Sequence, residues 1–151
     1  MVIVEYISLF LLAMVPMIEY MITIPAGIIL MQLHPVPVTL IVIAGNVFSL
    51  LLFIIVGDRI LLFRSRFRRS RPDAGEERKE RFRRYYDKYG AIGLSFIGCF
   101  FLSSQLTVAG MIPLGISRQR TFFWGSTAVV VYAVLFTFLS VFAEGWVRGM
   151  F

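Results

Sequence analysis

The fold of this chain is decided by residues 16–27, which read PMIEYMITIPAG and place Glu19 inside a long apolar segment. A carboxylate is costly in hydrocarbon, so a chain that keeps one there usually uses it. Pro16 and Pro25 flank Glu19, and a proline removes a backbone donor and disrupts a helix. Broken backbone at membrane depth is tolerated only where protein or a water-filled cavity covers it. The stretch therefore predicts a polar site built on interrupted helices within a membrane protein.

The composition also favours a membrane protein. Of 151 residues, 58% are hydrophobic and only 16% are charged, whereas soluble domains are about 45–50% apolar and about 25% charged. The apolar residues form segments of the roughly 20 residues that a spanning helix needs. We expect one all-α integral membrane domain over residues 1–151. Its first half is 1–57, a basic linker and amphipathic helix occupy 58–89, and its second half is 90–151.

The first apolar block, residues 7–33, allows two interpretations. One is a spanning helix to about Val15 followed by a re-entrant segment that turns near residues 24–27. The other is a single tilted helix with kinks. Residues 32–37 then form a turn, since a residue before proline is pushed out of the α region. Residues 38–56 follow as an uninterrupted spanning helix with Gly45 and Asn46 near its middle.

Residues 59–88 hold twelve of the fifteen basic residues and five of the nine acids. A basic block beside spanning segments indicates the cytoplasmic side, and we discount nucleic-acid binding for the same reason. Residues 62–72 are predicted to be a linker. Residues 73–89 are predicted to be an amphipathic helix at the membrane surface that ends at Gly90. The arginines assigned to topology and to contact with anionic lipid headgroups are Arg64, Arg66, Arg68, Arg69, Arg118 and Arg120. The alternative is a docking surface for a cytosolic protein.

The second apolar block, residues 90–116, is interrupted at 103–105, and the final spanning helix is predicted over 121–142. If the block spans, Arg118 and Arg120 lie outside, against the positive-inside trend. A re-entrant hairpin that turns at 103–105 keeps them cytoplasmic, so we favour it. The two halves then form an inverted repeat of two re-entrant hairpins with about three spanning helices. The N-terminus and residues 58–89 would be cytoplasmic. Such repeats place a binding site near the midplane in many transporters.

Glu19 is the leading site residue, as a protonatable or cation-binding carboxylate, with a structural hydrogen-bonded role as the alternative. The candidate site also includes Pro25, Gly27, Asn46, Ser103, Ser104, Gln105 and Thr107. The hydroxyl and amide groups of residues 103–107 could meet Glu19 across a midplane interface, or cap freed backbone groups. Asn46 is more often a contact between helices than a ligand. Metal-ligand clusters, nucleophile–base pairs and nucleotide-binding glycine patterns are absent, so we expect no cofactor, no metal and no enzyme.

Four stretches resemble the small multidrug export proteins, which are related to the DedA superfamily of bacterial and archaeal membrane proteins. They are IEYMITIPAG (18–27), Gly45-Asn46, YGAIGL (89–94), and Ala109-Gly110 with PLG (113–115). The resemblance implies two facing re-entrant hairpins and a plasma-membrane location in a bacterium or archaeon. It also implies an important acid on the first hairpin, which Glu19 matches by position.

The chain departs from that family pattern at two places. Met21 stands where the family's first motif often has an arginine, and residues 100–108 contain no hairpin arginine. Some members of the superfamily translocate phosphate-bearing lipid carriers, and these departures weigh against an anionic-lipid substrate here.

The sequence therefore predicts a secondary transporter or a lipid or small-molecule translocase, coupled to protons through Glu19. We expect a homo-oligomer, because 151 residues enclose a pathway poorly. The alternative function is a non-catalytic scaffold or accessory subunit that recruits a partner through its basic cytoplasmic loop. Binding partners on either view are the lipid bilayer and its anionic headgroups, not nucleic acid.

Overall fold

A computed structural model describes residues 2–67 and 73–150, and within these ranges it describes side chains except those of 57–79, 81, 82, 113 and 147–150. The described chain is helical and contains no strand, which confirms the all-α prediction for these residues. The elements in chain order are α1 (Val2–Ala13), α2 (Glu19–Pro25), a π-helical turn (Ala26–Leu30), α3 (Pro35–Phe67), α4 (Asp73–Phe101), α5 (Ser104–Met111), a 3-10 turn (Ile112–Leu114) and α6 (Arg118–Met150).

Two of these helices are long and apolar enough to cross a membrane, over Pro35–Val56 and Arg118–Trp146. The sequence predicted about three, because it extended a spanning helix to about Val15. That prediction is wrong for the described chain: α1 has 12 residues, or about 18 Å of helix, against a hydrocarbon core of about 30 Å. Both long helices carry a largely apolar outer surface, with exposed side chains such as Leu40, Ile55, Phe138 and Phe142.

The chain divides into two compact units. The first comprises Met1–Ser49 and Thr127–Phe151, and the second comprises Leu50–Ser126. Each unit therefore contains one pair of short helices together with parts of both α3 and α6.

In the first unit, α1 and α2 form a hairpin, called here the first hairpin (residues 2–30). Its turn lies at 14–18, because Pro16 cannot continue α1 and Met17 takes a left-handed φ of 75°. The turn expected near 24–27 is therefore in the wrong place. Pro25 remains inside a helix, since the chain widens into the π-helical turn directly after it.

In the second unit, residues 91–101 of α4 and residues 104–114 form the second hairpin. Its turn lies at 102–103, at the polar break that the sequence indicated. Gly90 interrupts α4 with a φ of 68° and a ψ of −170°, so it separates the amphipathic segment from the hairpin as predicted. Four boundaries differ from the prediction. The helix α3 begins at Pro35, inside the turn expected over 32–37, and continues to Phe67 through part of the expected linker. The helix α6 extends beyond 121–142 at both ends.

Candidate functional site

The first hairpin is attached to α3 through its turn. The hydroxyl of Ser49 donates a hydrogen bond of 3.0 Å to the carbonyl oxygen of Met14. That carbonyl is in the last turn of the hairpin's first arm, where backbone acceptors have no partner within the helix. The contact fixes the level along α3 at which the hairpin turns.

Two further contacts set the register between this hairpin and α3. A Cβ placed on Gly45 would lie 2.6 Å from the carbonyl oxygen of Phe10, so α1 crosses α3 at this glycine. A Cβ placed on Gly27 would lie 2.8 Å from Val38 Cγ1 and 3.0 Å from Leu9 Cδ1. Gly27 is therefore required by close packing.

Glu19 is the first residue of α2 and follows directly on the hairpin turn. Only 3% of it is exposed, so the prediction that this carboxylate is withdrawn from the surface agrees with the structure. Its backbone takes a left-handed φ of 32°, and its N–H donates to the carbonyl oxygen of Val15 at 3.3 Å. The tight turn, rather than a kink at Pro25, thus positions the acid.

Thr23 lies one helical turn after Glu19, on the same face of α2, and is 1% exposed. Its Oγ1 atom is buried and has no hydrogen-bond partner among the described residues. A buried unpartnered hydroxyl costs about 1–3 kcal/mol. Thr23 is not among the site residues predicted from the sequence, although its spacing of four residues from Glu19 is a signal that could have identified it.

Tyr20 fixes the rotation of α2 on its other side. Its ring is fully buried and stacks on Tyr132 of α6, with ring centroids 5.9 Å apart and planes inclined by 11°. It also contacts Phe136 at a centroid distance of 5.9 Å. A hydrogen bond of 2.6 Å between the hydroxyls of Thr39 and Thr137 joins α3 to α6 in the same unit.

Asn46 is fully buried on α3, directly after Gly45. It is three residues before Ser49, so it lies on the side of α3 that carries the hairpin turn. The first unit therefore contains Glu19, Thr23 and Asn46 as buried polar groups. Pro25 lies inside the second arm of the hairpin, and Gly27 packs against Val38 and Leu9.

The polar residues of the second hairpin are buried and bonded to each other. Ser103 caps α5, where its Oγ accepts from the N–H of Leu106 at 3.3 Å, and Thr107 Oγ1 donates to the carbonyl oxygen of Ser103 at 2.7 Å. The hydroxyls of Ser103 and Ser104 each lie 3.3 Å from Gln105 Oε1, to which they donate. The capping interpretation is thus confirmed for Ser103. These four residues belong to the second unit, and Glu19 and Asn46 belong to the first.

The basic residues are described in part. Arg118 and Arg120 are exposed in the first turn of α6, where Ser117 Oγ accepts from the N–H of Arg120 at 3.4 Å. The side chains of Arg64 and Arg66, and all of Arg68 and Arg69, lie outside the described residues. On α4, the side chains of Glu80 and Arg84, four residues apart, form an ion pair with a distance of 3.5 Å.

The base of the second hairpin is closed by apolar side chains from its two ends. Leu94, Met111 and Ile116 form a buried cluster, and Tyr86 of the amphipathic segment packs against it with Leu114. Tyr85 and Tyr89 remain about half exposed. Among the described side chains, Tyr86 therefore attaches the amphipathic segment to the base of the second hairpin.

The chain matches no protein-family model, no curated protein and no solved structure. The resemblance to the small multidrug export proteins remains a prediction from the four sequence stretches that carry it.

Proposed function

We propose that this protein is a secondary membrane transporter or a translocase of lipids or small molecules, coupled to protons through Glu19. The observation that carries the proposal is the register of the first hairpin on α3, together with the burial of Glu19 at the hairpin turn. Both features lie within the first unit.

If Pro35–Val56 crosses the bilayer, the contacts between the first hairpin and α3 give the depth of the hairpin turn in the membrane. Ser49, which binds the hairpin turn, is about 21 Å along α3 from Pro35 and about 11 Å from Val56, at 1.5 Å per residue. Gly27, near the end of the hairpin's second arm, contacts Val38 close to the start of that span. On this basis the hairpin enters from one surface, turns inside the hydrocarbon core and returns, and it carries Glu19 at its tip. An intramembrane acid on a broken helix is typical of transport pathways.

The second hairpin fits the same topology. Its first and last turns meet in the cluster of Leu94, Met111 and Ile116, so its two ends are at one level. A block that crossed the membrane would have its ends about 30 Å apart. The proposal therefore includes two re-entrant hairpins in an inverted repeat, a bacterial or archaeal plasma membrane, and cytoplasmic positions for the amphipathic segment, Arg118 and Arg120. Because one span, Pro35–Val56, separates the first hairpin from that segment, α1 would begin on the opposite side, in place of the cytoplasmic N-terminus that the sequence predicted. It also includes the relationship to the DedA superfamily and a homo-oligomeric assembly.

The test is proton release from purified protein in liposomes on addition of candidate lipids or cationic drugs. We expect substrate-dependent release from the parent protein and none from Glu19→Gln, because the amide cannot exchange a proton. Glu80→Gln is the matched control, since Glu80 is an exposed carboxylate of α4 and its loss should leave the release unchanged.

Two results would count against transport. Equal release from the parent and Glu19→Gln would exclude Glu19 as the coupling group. Absence of release from both, with a lower melting temperature for Glu19→Gln alone, would make Glu19 structural. The alternative function, a scaffold that recruits a partner through its basic loop, would then be favoured. It predicts a stoichiometric partner that is lost when the loop arginines are neutralised.

A further inference from the structure

The second arm of the first hairpin ends in a π-helical turn over Ala26–Leu30. The N–H of Met31 donates to the carbonyl oxygen of Ala26 at 3.0 Å, five residues back, and that of Leu33 donates to Gly27 at 3.0 Å, six residues back. Such a turn accommodates one residue more than an α-helical turn. Single π turns within α-helices are rare and occur frequently at functional sites.

Several features lower the cost of changing this turn. Pro25 precedes it and has no N–H, so the carbonyl of Met21 lacks its usual α-helical donor. Residues with left-handed φ bound the arm at both ends: Met17 (75°), Glu19 (32°) and Gln32 (53°). Non-glycine residues in this conformation store strain, and such strain is concentrated at switch regions. The second arm of the first hairpin thus lies between two segments of strained backbone.

Relaxation of the π turn to an α-helix would displace α2 by one residue. If the residues after Leu30 stay in position, each residue of α2 would move to the position in space that the preceding residue now occupies. The movement is a rotation of about 100° and a translation of about 1.5 Å.

The burial pattern along α2 indicates what this displacement does. Thr23, now 1% exposed, would take the place of Ile22, which is 57% exposed. Ile24 would enter the buried place of Thr23, so an apolar group would replace an unpartnered hydroxyl. Glu19, now 3% exposed, would take the half-buried place of Ile18. Both polar groups therefore move outward, and no polar group of α2 moves inward to replace them.

We propose that the π-helical turn is a register switch that moves Thr23 between the packed interior of the first unit and its outer surface, and moves Glu19 at the same time between a buried and a half-buried position. The role of this switch rests on the proposed function: it would present the Glu19 carboxylate alternately to the protein interior and to a ligand. The existence of the two registers does not depend on the proposed function.

The test uses cysteine pairs that report the register, in a Cys99→Ser background with a short thiol crosslinker. In the present register, Tyr20→Cys crosslinks with Tyr132→Cys, because the two rings are stacked. After the displacement, Met21→Cys occupies that place and crosslinks instead. Deletion of Ile29 removes one residue from the π turn. The remaining residues then fit an α-helix with α2 in its present place, so we expect only the 20–132 product from the deletion variant. The full-length chain, which exchanges between the two registers, should give both the 20–132 and the 21–132 products.

A third pair, Thr39→Cys with Thr137→Cys, reports whether the first unit has folded, since those hydroxyls are 2.6 Å apart. With the control pair crosslinked, absence of the 21–132 product from the full-length chain, or an equal yield of it from the deletion variant, would overturn the proposal. If the control pair is lost, Pro25→Ala in the full-length chain decides. It restores an N–H for the carbonyl of Met21, so the 21–132 product should appear, and its absence would overturn the proposal.

The outcomes separate this inference from the proposed function. Exchange of crosslinks without Glu19-dependent proton release would retain the switch and exclude proton-coupled transport. Proton release that depends on Glu19, with no exchange of crosslinks, would retain transport and exclude the switch.

Discussion

Gly45 determines how closely α1 approaches α3. A Cβ at this position would lie 2.6 Å from the carbonyl oxygen of Phe10 and 3.2 Å from Ala13 Cβ. The nearest atom belongs to the backbone, so no rotation of a side chain can relieve the clash. Gly145 of α6 has nothing within 4 Å of the same position. The two glycines therefore separate the effect of close packing from that of helix propensity.

We expect Gly45→Ala to lower the melting temperature in detergent. Overpacking costs about 1–3 kcal/mol, and the helix-propensity gain of about 1 kcal/mol does not offset a clash with backbone. Gly145→Ala has the same propensity gain without the clash, so it should leave the melting temperature unchanged or raise it. Equal effects of the two variants would contradict the close crossing of α1 and α3.

At the same scale, the sequence predicted the burial of Glu19 but missed Thr23. An acid in an apolar segment is conspicuous, because its transfer into hydrocarbon is so costly. A threonine in an apolar segment is common, since its hydroxyl usually bonds the carbonyl four residues back, as Thr39 does with Pro35. Only the coordinates distinguish Thr23, whose hydroxyl makes no such bond among the described residues.

At the scale of the helices, the two prolines beside Glu19 have different effects on the backbone, and the residue type alone does not predict which effect each has. Pro16 lies in the turn that ends α1, whereas Pro25 remains within a helix that widens after it. A proline predicts a lost donor, but tertiary packing decides whether the chain turns or the helix absorbs the loss. The sequence could therefore predict a broken first block without locating the break.

The glycines at the two ends of the second hairpin provide a prediction for this element. Gly90 has φ 68° and ψ −170°, a region essentially restricted to glycine. Gly115 has φ 84° and ψ 10°, in the left-handed region that asparagine tolerates. We expect Gly90→Ala and Gly90→Asn to destabilise alike, by about 1–3 kcal/mol.

At Gly115, asparagine should cost less than alanine. Unfolding in detergent, followed by circular dichroism, measures all four variants. Because a Cβ meets nothing within 4 Å at either glycine, steric clash does not contribute. An unchanged stability of Gly90→Ala would contradict the break at this position, because it would mean that α4 can run through residue 90 as a regular helix.

For the whole molecule, the position of Arg118 and Arg120 depends on whether residues 90–116 cross the membrane. The adjacent ends of the second hairpin predict that they do not. In a Cys99→Ser background, an impermeant thiol reagent should therefore label Tyr85→Cys and Ser117→Cys from the same side. Trp146→Cys, at the other end of the α6 span, should be labelled only from the opposite side. Labelling of positions 117 and 85 from opposite sides would mean that residues 90–116 span.

The order of elements at this scale was largely predictable from the sequence. Each half contains an interrupted apolar block followed by a long apolar helix, and the structure repeats this order as hairpin, α3, hairpin, α6. The length of the first arm was not predictable. Residues 2–15 are as apolar as a spanning segment, and only the turn at 14–18 limits α1 to 12 residues.

The division of α6 between the two units has a consequence for how the protein is made. The first unit requires Thr127–Phe151 as well as Met1–Ser49, so the stacking partner of Tyr20 is synthesised more than a hundred residues after it. While the ribosome translates the intervening chain, the first hairpin lacks the rings that fix α2. These rings therefore do not fix the rotation of α2, which begins at Glu19, until synthesis is almost complete. A chain truncated before residue 127 should accordingly be recognised by quality-control proteases as an unassembled membrane protein.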